Sequence, residues 1–468
     1  MRRGHEHAKH HKMHPVHRIA VHGARGTSVW KRLVFVIAGM VFSVLLSSYF
    51  LGFGTPQQIV FAITISALVL WLSEIVPLHV TALAIPFALV VLGGFKPAEA
   101  FAPFFDSIVV LVLGGFVIAF ALSKYKVDEY IGHKLVHRGS SPRLVLLSMM
   151  AVTAFISMWM ANSAAAALMM PIGIIILKEN KMLAGESRFG KSMVLGIGFA
   201  ATIGGLGTLV GSTPNVLVAK FLTQAGYSFG FMDWTYYGFP IMVALVISTF
   251  VILTLLFKPE TKKINMKESN RKLNASQKKV LAIFVITVLL WITSEIHKID
   301  IGTISLVPIF LLYAFGLLKV EDFKKIEWPA LILIGGGISL GYSMHTSGLD
   351  VTMANALGTI ITSQPALVIA LVIITFGVAL TAFASNTAAA SVIVPMMIPL
   401  AVATGINPRM LALLAGVGVS LDFIMPSGTP PTTIAYSTHY VNLRELIKAG
   451  VLVSLAAIAI STLIAIAL

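Results

Sequence analysis

Ser157-Met158-Trp159-Met160-Ala161-Asn162-Ser163-Ala164-Ala165-Ala166-Ala167-Leu168-Met169-Met170-Pro171 is matched, much later in the chain, by a second stretch of the same design. That second stretch reads Thr381-Ala382-Phe383-Ala384-Ser385-Asn386-Thr387-Ala388-Ala389-Ala390-Ser391-Val392-Ile393-Val394-Pro395. Each copy has a hydroxyl five residues before an Asn, a hydroxyl just after it, a run of small residues, and Pro nine positions on. Each lies inside an apolar segment, 142–177 and 364–403, that is too long for one crossing of about 20 residues. Both segments therefore read as re-entrant helical hairpins with the Asn at the tip.

A second pair of motifs follows in the same order. Gly207-Thr208-Leu209-Val210-Gly211-Ser212-Thr213-Pro214-Asn215 interrupts the apolar run 192–224. Ile424-Met425-Pro426-Ser427-Gly428-Thr429-Pro430-Pro431-Thr432 interrupts 407–438. Upstream, Leu113-Gly114-Gly115 echoes Ile334-Gly335-Gly336-Gly337. The expected fold is an all-α multi-pass membrane protein with about eleven transmembrane helices and two re-entrant hairpins. Its expected parts are a tail 1–32, a first helix 33–55, repeat one over 56–257, a loop 258–279, and repeat two over 280–468.

Composition agrees with lipid. The chain is 57% hydrophobic and 11% charged, against about 25% charged in soluble domains. The net charge of +15 does not point to nucleic acid, because its distribution follows the membrane. With the N-terminus cytoplasmic, the loops assigned to that side hold 30 of the 34 Lys and Arg residues. Lys96, Lys220, Lys298 and Arg409 are the others, on or near the outer face. Reading either hairpin as a full crossing would invert every later loop and destroy this asymmetry. The expectation is a cell-membrane protein with its C-terminus outside and two repeats of inverted topology. No cleavable signal is visible, and Cys is absent. His5, His7, His10, His11, His14, His17 and His22 in the tail read as a solvated basic segment rather than a metal site.

Inverted repeats with interrupted helices mark a secondary transporter whose site lies at the repeat interface. Helix breaks leave unpaired N–H groups at positive dipole ends, which favour anionic oxygens. Asn offers both donor and acceptor, and hydroxyls with freed carbonyls form an all-oxygen cage for a hard cation. No Arg or Lys lies in the four motifs.

These residues resemble the divalent-anion:sodium symporter family, whose members carry di- and tricarboxylates or, in some branches, sulfate. The family hallmark Ser-Asn-Thr is intact at Ser385-Asn386-Thr387 and altered to Ala161-Asn162-Ser163 at the first tip. The resemblance covers roughly 35–468. It implies a carboxylate site at Asn162, Ser163, Ser212, Asn386, Thr387, Thr429 and Pro430. It implies sodium sites at Ser157, Asn162 and Gly211, and at Thr381, Ala384, Asn386 and Gly428. It also implies a homodimer in which a transport domain slides past a scaffold like an elevator, with no organic cofactor. Ala161 removes a hydroxyl that the family offers to the first cation site, so sodium symport and sodium-independent dicarboxylate exchange both stay open. Asp422, within the second broken helix, is a functional candidate by its depth alone; bonding to nearby backbone is the blander alternative. Its counterpart is Gly205.

A channel would show rings of carbonyls or charges along a continuous pore, and no such pattern is visible. An intramembrane enzyme would need a catalytic constellation, yet His79, His345 and His439 lie near span ends, no His-x-x-x-His pair appears in a span, and the close His spacings are confined to the tail.

Overall fold

The computed structural model describes residues 29–51, 55–135, 141–265, 272–361, 364–382, 384–426 and 428–467. The expected tail falls almost wholly outside these residues, as does part of the loop 258–279. The longer helices are α1 (Val29–Leu51), α2 (Pro56–Ser73), α3 (Leu78–Val91), α4 (Ser107–Lys124), α5 (Val127–Leu135), α6 (Pro142–Ser157), α7 (Asn162–Glu179), α8 (Arg188–Gly204), α9 (Thr213–Gln224) and α10 (Phe231–Leu256). They continue with α11 (Ala275–Ile292), α12 (Ile301–Ala314), α13 (Trp328–Ser347), α14 (Leu349–Ile361), α15 (Ala366–Thr381), α16 (Asn386–Thr404), α17 (Pro408–Gly418), α18 (Pro430–Ser437) and α19 (Leu443–Ala467). There are no strands among the described residues.

Local chemistry sets many of these ends. Thr55 caps α2 by accepting from Gln58 N at 3.1 Å, and Ser187 caps α8 through Gly190 N at 2.9 Å. Asn274 and Gln277 exchange bonds of 2.9 Å in a capping box that starts α11. Where no cap or apolar run continues, the chain turns. Residues 158–161 join α6 to α7 and 382–385 join α15 to α16, so each expected hairpin is two helices around an Asn that opens the second. The first arms have 16 residues each, about 24 Å of helix, short of an hydrocarbon core of about 30 Å. A tip at that depth falls inside the membrane.

Seven of the described helices are long and apolar enough to cross a membrane. Two of those, α7 and α16, are hairpin second arms, and the remaining expected crossings rest on shorter apolar helices such as α3 and α12. Both of these carry an internal proline, Pro86 and Pro308. Two helices escaped the sequence reading, α5 and α14. Each immediately precedes a hairpin, and each opens with an acidic residue, Asp128 or Asp350.

The two halves repeat their contacts as well as their order. α4 packs on α12, and α13 on α3. A Cβ on Gly114 would lie 2.6 Å from Ser305 of α12, and one on Gly336 would lie 2.6 Å from Ala82 of α3. α8 packs on α6 and α17 on α15, again through glycine: Gly204 abuts the Ala154 backbone and Gly418 the Ile374 backbone. Such small-residue crossings let backbones approach where lipid offers no hydrophobic driving force. α8 is the central pillar, with every residue from Ser192 to Gly204 buried.

The repetition fails at one place. On α16, Ala388, Ser391 and Pro395 are buried, and a Cβ on Gly337 would sit 2.0 Å from Ser391 Oγ. Their counterparts on α7, Ala164, Ala167 and Pro171, are exposed, and a Cβ on Gly115 would find only Val210, at 3.8 Å. Asp106, which caps α4, also pairs with Lys220 of α9 at 2.5 Å and ties these helices at the end near Gly341 and Phe221.

Candidate functional site

A cavity of about 240 Å³ lies between the two hairpin tips and the two helix breaks. Asn162 and Ser163 line it from α7, Ser385 and Asn386 from the second tip, Gly211, Ser212 and Thr213 from the first break, and Gly428, Thr429 and Pro430 from the second. Four helices, α7, α9, α16 and α18, therefore begin on its wall. Each N-terminus is the positive end of a helix dipole, although α18, which opens with Pro430-Pro431 and has Thr432 N bonded to Thr429 Oγ1, offers no free N–H there. Val112, Gly115 and Phe116 of α4, with Trp159, close the apolar side. Glu327, at the start of α13, is the one ionisable residue among the described lining groups. A larger cavity of about 660 Å³ among α1, α2 and α3 is lined mostly by apolar side chains, with Ser47, Gln58, Ser66 and Thr81 as its polar members and no charged group or helix N-terminus pair suited to an anion.

Of the residues expected at the anion site, Asn162, Ser163, Ser212, Asn386, Thr429 and Pro430 line the cavity. Thr387 does not. Its side chain is buried and its hydroxyl bonds Thr213 Oγ1, which ties the second tip to the first break. The reason is helical geometry: Thr387 is the second residue of α16 and points back into the protein when Asn386 faces the cavity. Thr429 lines the wall but its hydroxyl is engaged with Thr432, at 2.8 Å, and caps α18.

Ser157, Thr381 and Ala384 lie behind the cavity wall, buried. Ser157 Oγ is 2.8 Å from Asn162 Oδ1 and 2.6 Å from Ala201 O. One hydroxyl proton serves only one of those acceptors, so the three oxygens make a cluster that suits a hard cation such as sodium. Gly211 closes that cluster's far side, where its Cα and Gly205 approach so tightly that a Cβ would clash with Gly205 O at 2.6 Å. In the second repeat Thr381 Oγ1 is 2.5 Å from Asn386 Oδ1. Gly428 packs against Asp422.

Ala161 changes less than its position implies. Its counterpart Ser385 uses its hydroxyl to accept from Ala388 N at 3.2 Å, as a helix cap, whereas Ala161 leaves α7 without a side-chain cap. Ala201 O, Trp159 and Thr213 were missed by sequence reasoning. A carbonyl has no sequence signal, but Trp159 lies within the quoted first motif and Thr213 within the break, and both could have been weighed.

A family model described as citrate transporter matches residues 68–416 and 296–468. A sodium-dependent dicarboxylate transporter, SdcS, of Staphylococcus saprophyticus is 32% identical over 441 residues, covering 86% of this chain and 85% of the relative. An uncharacterized transporter of Haemophilus influenzae is 32% identical over 446 residues, covering 92% of this chain and 95% of the relative. Among solved structures, the YdaH transporter of Alcanivorax borkumensis is similar in fold, with a TM-score of 0.55 over 78% of this chain and 85% of that one, at 14% identity.

Proposed function

The chain belongs to the citrate transporter family, a multi-pass membrane carrier of carboxylates, and from that premise we propose that it performs sodium-coupled uptake of a C4-dicarboxylate or a related di- or tricarboxylate. The observation that carries the reading is the convergence of four helix N-termini and two Asn side chains on one small cavity without Lys or Arg. Backbone N–H groups and carboxamides would hold the two carboxylates of a compact dianion. The oxygen clusters behind the tips would hold the coupling cations, close enough for cation and anion to stabilise each other. The SdcS relatives are named for sodium dependence and dicarboxylates, which supports this choice over sulfate. The capping bond of Ser385 supports symport, because the hydroxyl missing at Ala161 is one that the second tip gives to its own helix.

Movement follows from the unequal halves. The hairpins and broken helices would slide as one body past a scaffold that includes α2, α3, α11 and α12, in an elevator cycle within a homodimer of the cell membrane. The buried α16 face and the Asp106–Lys220 pair close one side, and the exposed α7 face opens the other. With the positively charged loops in the cytoplasm and the C-terminus outside, this is the inward-facing state.

Uptake of succinate, 2-oxoglutarate, citrate and sulfate into proteoliposomes, with and without sodium and with and without internal dicarboxylate, tests the proposal. We expect sodium-dependent succinate or 2-oxoglutarate uptake, reduced at least about tenfold by Asn386→Ala or Asn162→Ala at normal yields of folded protein. Uptake that ignores sodium but requires internal dicarboxylate would replace symport by exchange.

A further inference from the structure

Asp422 lies in the break between α17 and α18, 1% exposed, with Oδ2 buried and without a hydrogen-bond partner. Its Oδ1 accepts from Ile424 N at 3.3 Å, so the blander bonding to backbone accounts for only one of the two oxygens. A buried carboxylate oxygen with no partner is costly unless a cation or proton meets it. No ion pair involves Asp422, and the cavity beside it is lined by no Lys, Arg or His among the described residues.

The repeat shows where this carboxylate is directed. Three contacts have matching partners in the two halves. Gly238 meets Leu206 O as Gly450 meets Phe423 O, each at 2.2 Å from a built Cβ. Ser157 meets Asn162 Oδ1 as Thr381 meets Asn386 Oδ1. Gly211 abuts Gly205 as Gly428 abuts Asp422, where a built Cβ would fall 1.9 Å from Asp422 Oδ2. In the first half the residue equivalent to Asp422 is Gly205, and a Cβ there would point at the Asn162 carboxamide, 2.5 Å from Oδ1 and 2.9 Å from Nδ2. By that symmetry the side chain at 422 lies on the Asn386 side of the break, set back from the mirrored position because a real Cβ cannot approach an oxygen to 2.5 Å.

Resting on the sodium-coupled reading above, we propose that Asp422 supplies a carboxylate oxygen to the cation site of the second hairpin, beside Thr381 Oγ1 and Asn386 Oδ1. The first site is then a neutral cage of Ser157, Asn162 and Ala201 oxygens, and the second carries a full negative charge. A hard monovalent cation binds the charged site more tightly. The empty charged site also repels a dianion across the shared tip, so cation binding precedes substrate binding.

The test reads sodium binding without substrate or transport. The purified full chain in detergent is titrated with sodium chloride against potassium chloride at constant ionic strength, and thermal stabilisation is followed. Wild type should be stabilised by sodium. Asp422→Asn, which keeps the shape, should raise the half-saturating sodium concentration about tenfold or more, while Ser157→Ala should leave the tighter phase in place. Unchanged sodium half-saturation in Asp422→Asn would overturn the proposal. So would stabilisation of wild type by acid in potassium alone that Asp422→Asn abolishes, because Asp422 would then hold a proton. Should the Asn variant not fold, Asp422→Ser read by the same titration, or by the sodium dependence of uptake in native membrane vesicles, decides between these outcomes. Failure of dicarboxylate uptake with the sodium shift intact would sink the substrate assignment alone; sodium-dependent uptake with an unaltered Asp422 variant would sink this one alone.

Discussion

Along α16, Ala388, Ser391 and Pro395 are buried, and Ser391 is pressed against Gly337 of α13; along α7, the equivalent Ala164, Ala167 and Pro171 are exposed, and a Cβ on Gly115 of α4 would meet only Val210, at 3.8 Å. The two hairpin tips share one pattern of hydroxyl, Asn, small residues and Pro, so local propensity does not explain the difference. It lies in which scaffold helix each hairpin has docked against. Two equivalent faces, one in use and one idle, are what a carrier with two alternating arrangements requires. In the elevator cycle proposed above, the opposite arrangement brings Ala167 to Gly115, as Ser391 meets Gly337 in this one.

The sharpest way to break the comparison is to fill each glycine. Gly337→Leu places atoms inside Ser391 and should lower stability by about 1–3 kcal/mol, whereas a Cβ on Gly115 meets only Val210, at 3.8 Å beside the cavity, so Gly115→Leu should shift the melting temperature much less. Both should cut uptake by at least about tenfold, one by disfavouring the present arrangement and the other by blocking its mirror image. Normal uptake by Gly115→Leu would mean that the mirror contact never forms.

A smaller contrast separates the helices that precede the hairpins. Asp128 and Asp350 each accept from the next backbone N–H at 2.8 Å, but Asp350 also meets His345 Nδ1 at 2.9 Å. Burial pushes the Asp128 carboxyl up to about 6, against the opposing bonds from the backbone and Ser123. The folded chain thus holds this proton more tightly than the unfolded chain between about pH 4 and 6. Its contribution to stability is present below that window and is lost as pH rises through it. Asp128→Asn should flatten that slope in melting curves and stabilise the protein at neutral pH by on the order of 2 kcal/mol. An unchanged slope would assign the pH dependence elsewhere.

The smallest effect concerns the tips themselves. Ala161→Ser should restore to α7 the cap that Ser385 gives α16 and add about 1 kcal/mol of stability, with sodium half-saturation unaltered. A shift in sodium affinity would instead place that hydroxyl in the cation site.

Hairpins and breaks were legible because Asn, Gly and Pro stand out inside apolar runs, where lipid tolerates them only for a reason. Their two-fold pairing was legible for the same reason. The α5 and α14 helices were not, since Asp128 and Glu129 make α5 resemble a cytoplasmic connection and α14 is only 13 residues long. At the site, the residues that open helices were identifiable, but which way their side chains face was not: Thr387 looks like a ligand and acts as a brace to Thr213. Asp422 could be flagged by its depth, yet only the approach of Gly428 and the mirrored Gly205 give its carboxylate a direction.

The gap beside Gly115 has a pharmacological consequence. It is the part of the candidate cavity walled by Val112, Phe116 and Val210, beside the exposed face of α7. A small apolar molecule lodged there would act as a doorstop, stopping turnover without resembling the substrate. Because those walls belong to the first repeat and line the same cavity as Asn162 and Ser163, such a molecule and the substrate would compete for room there.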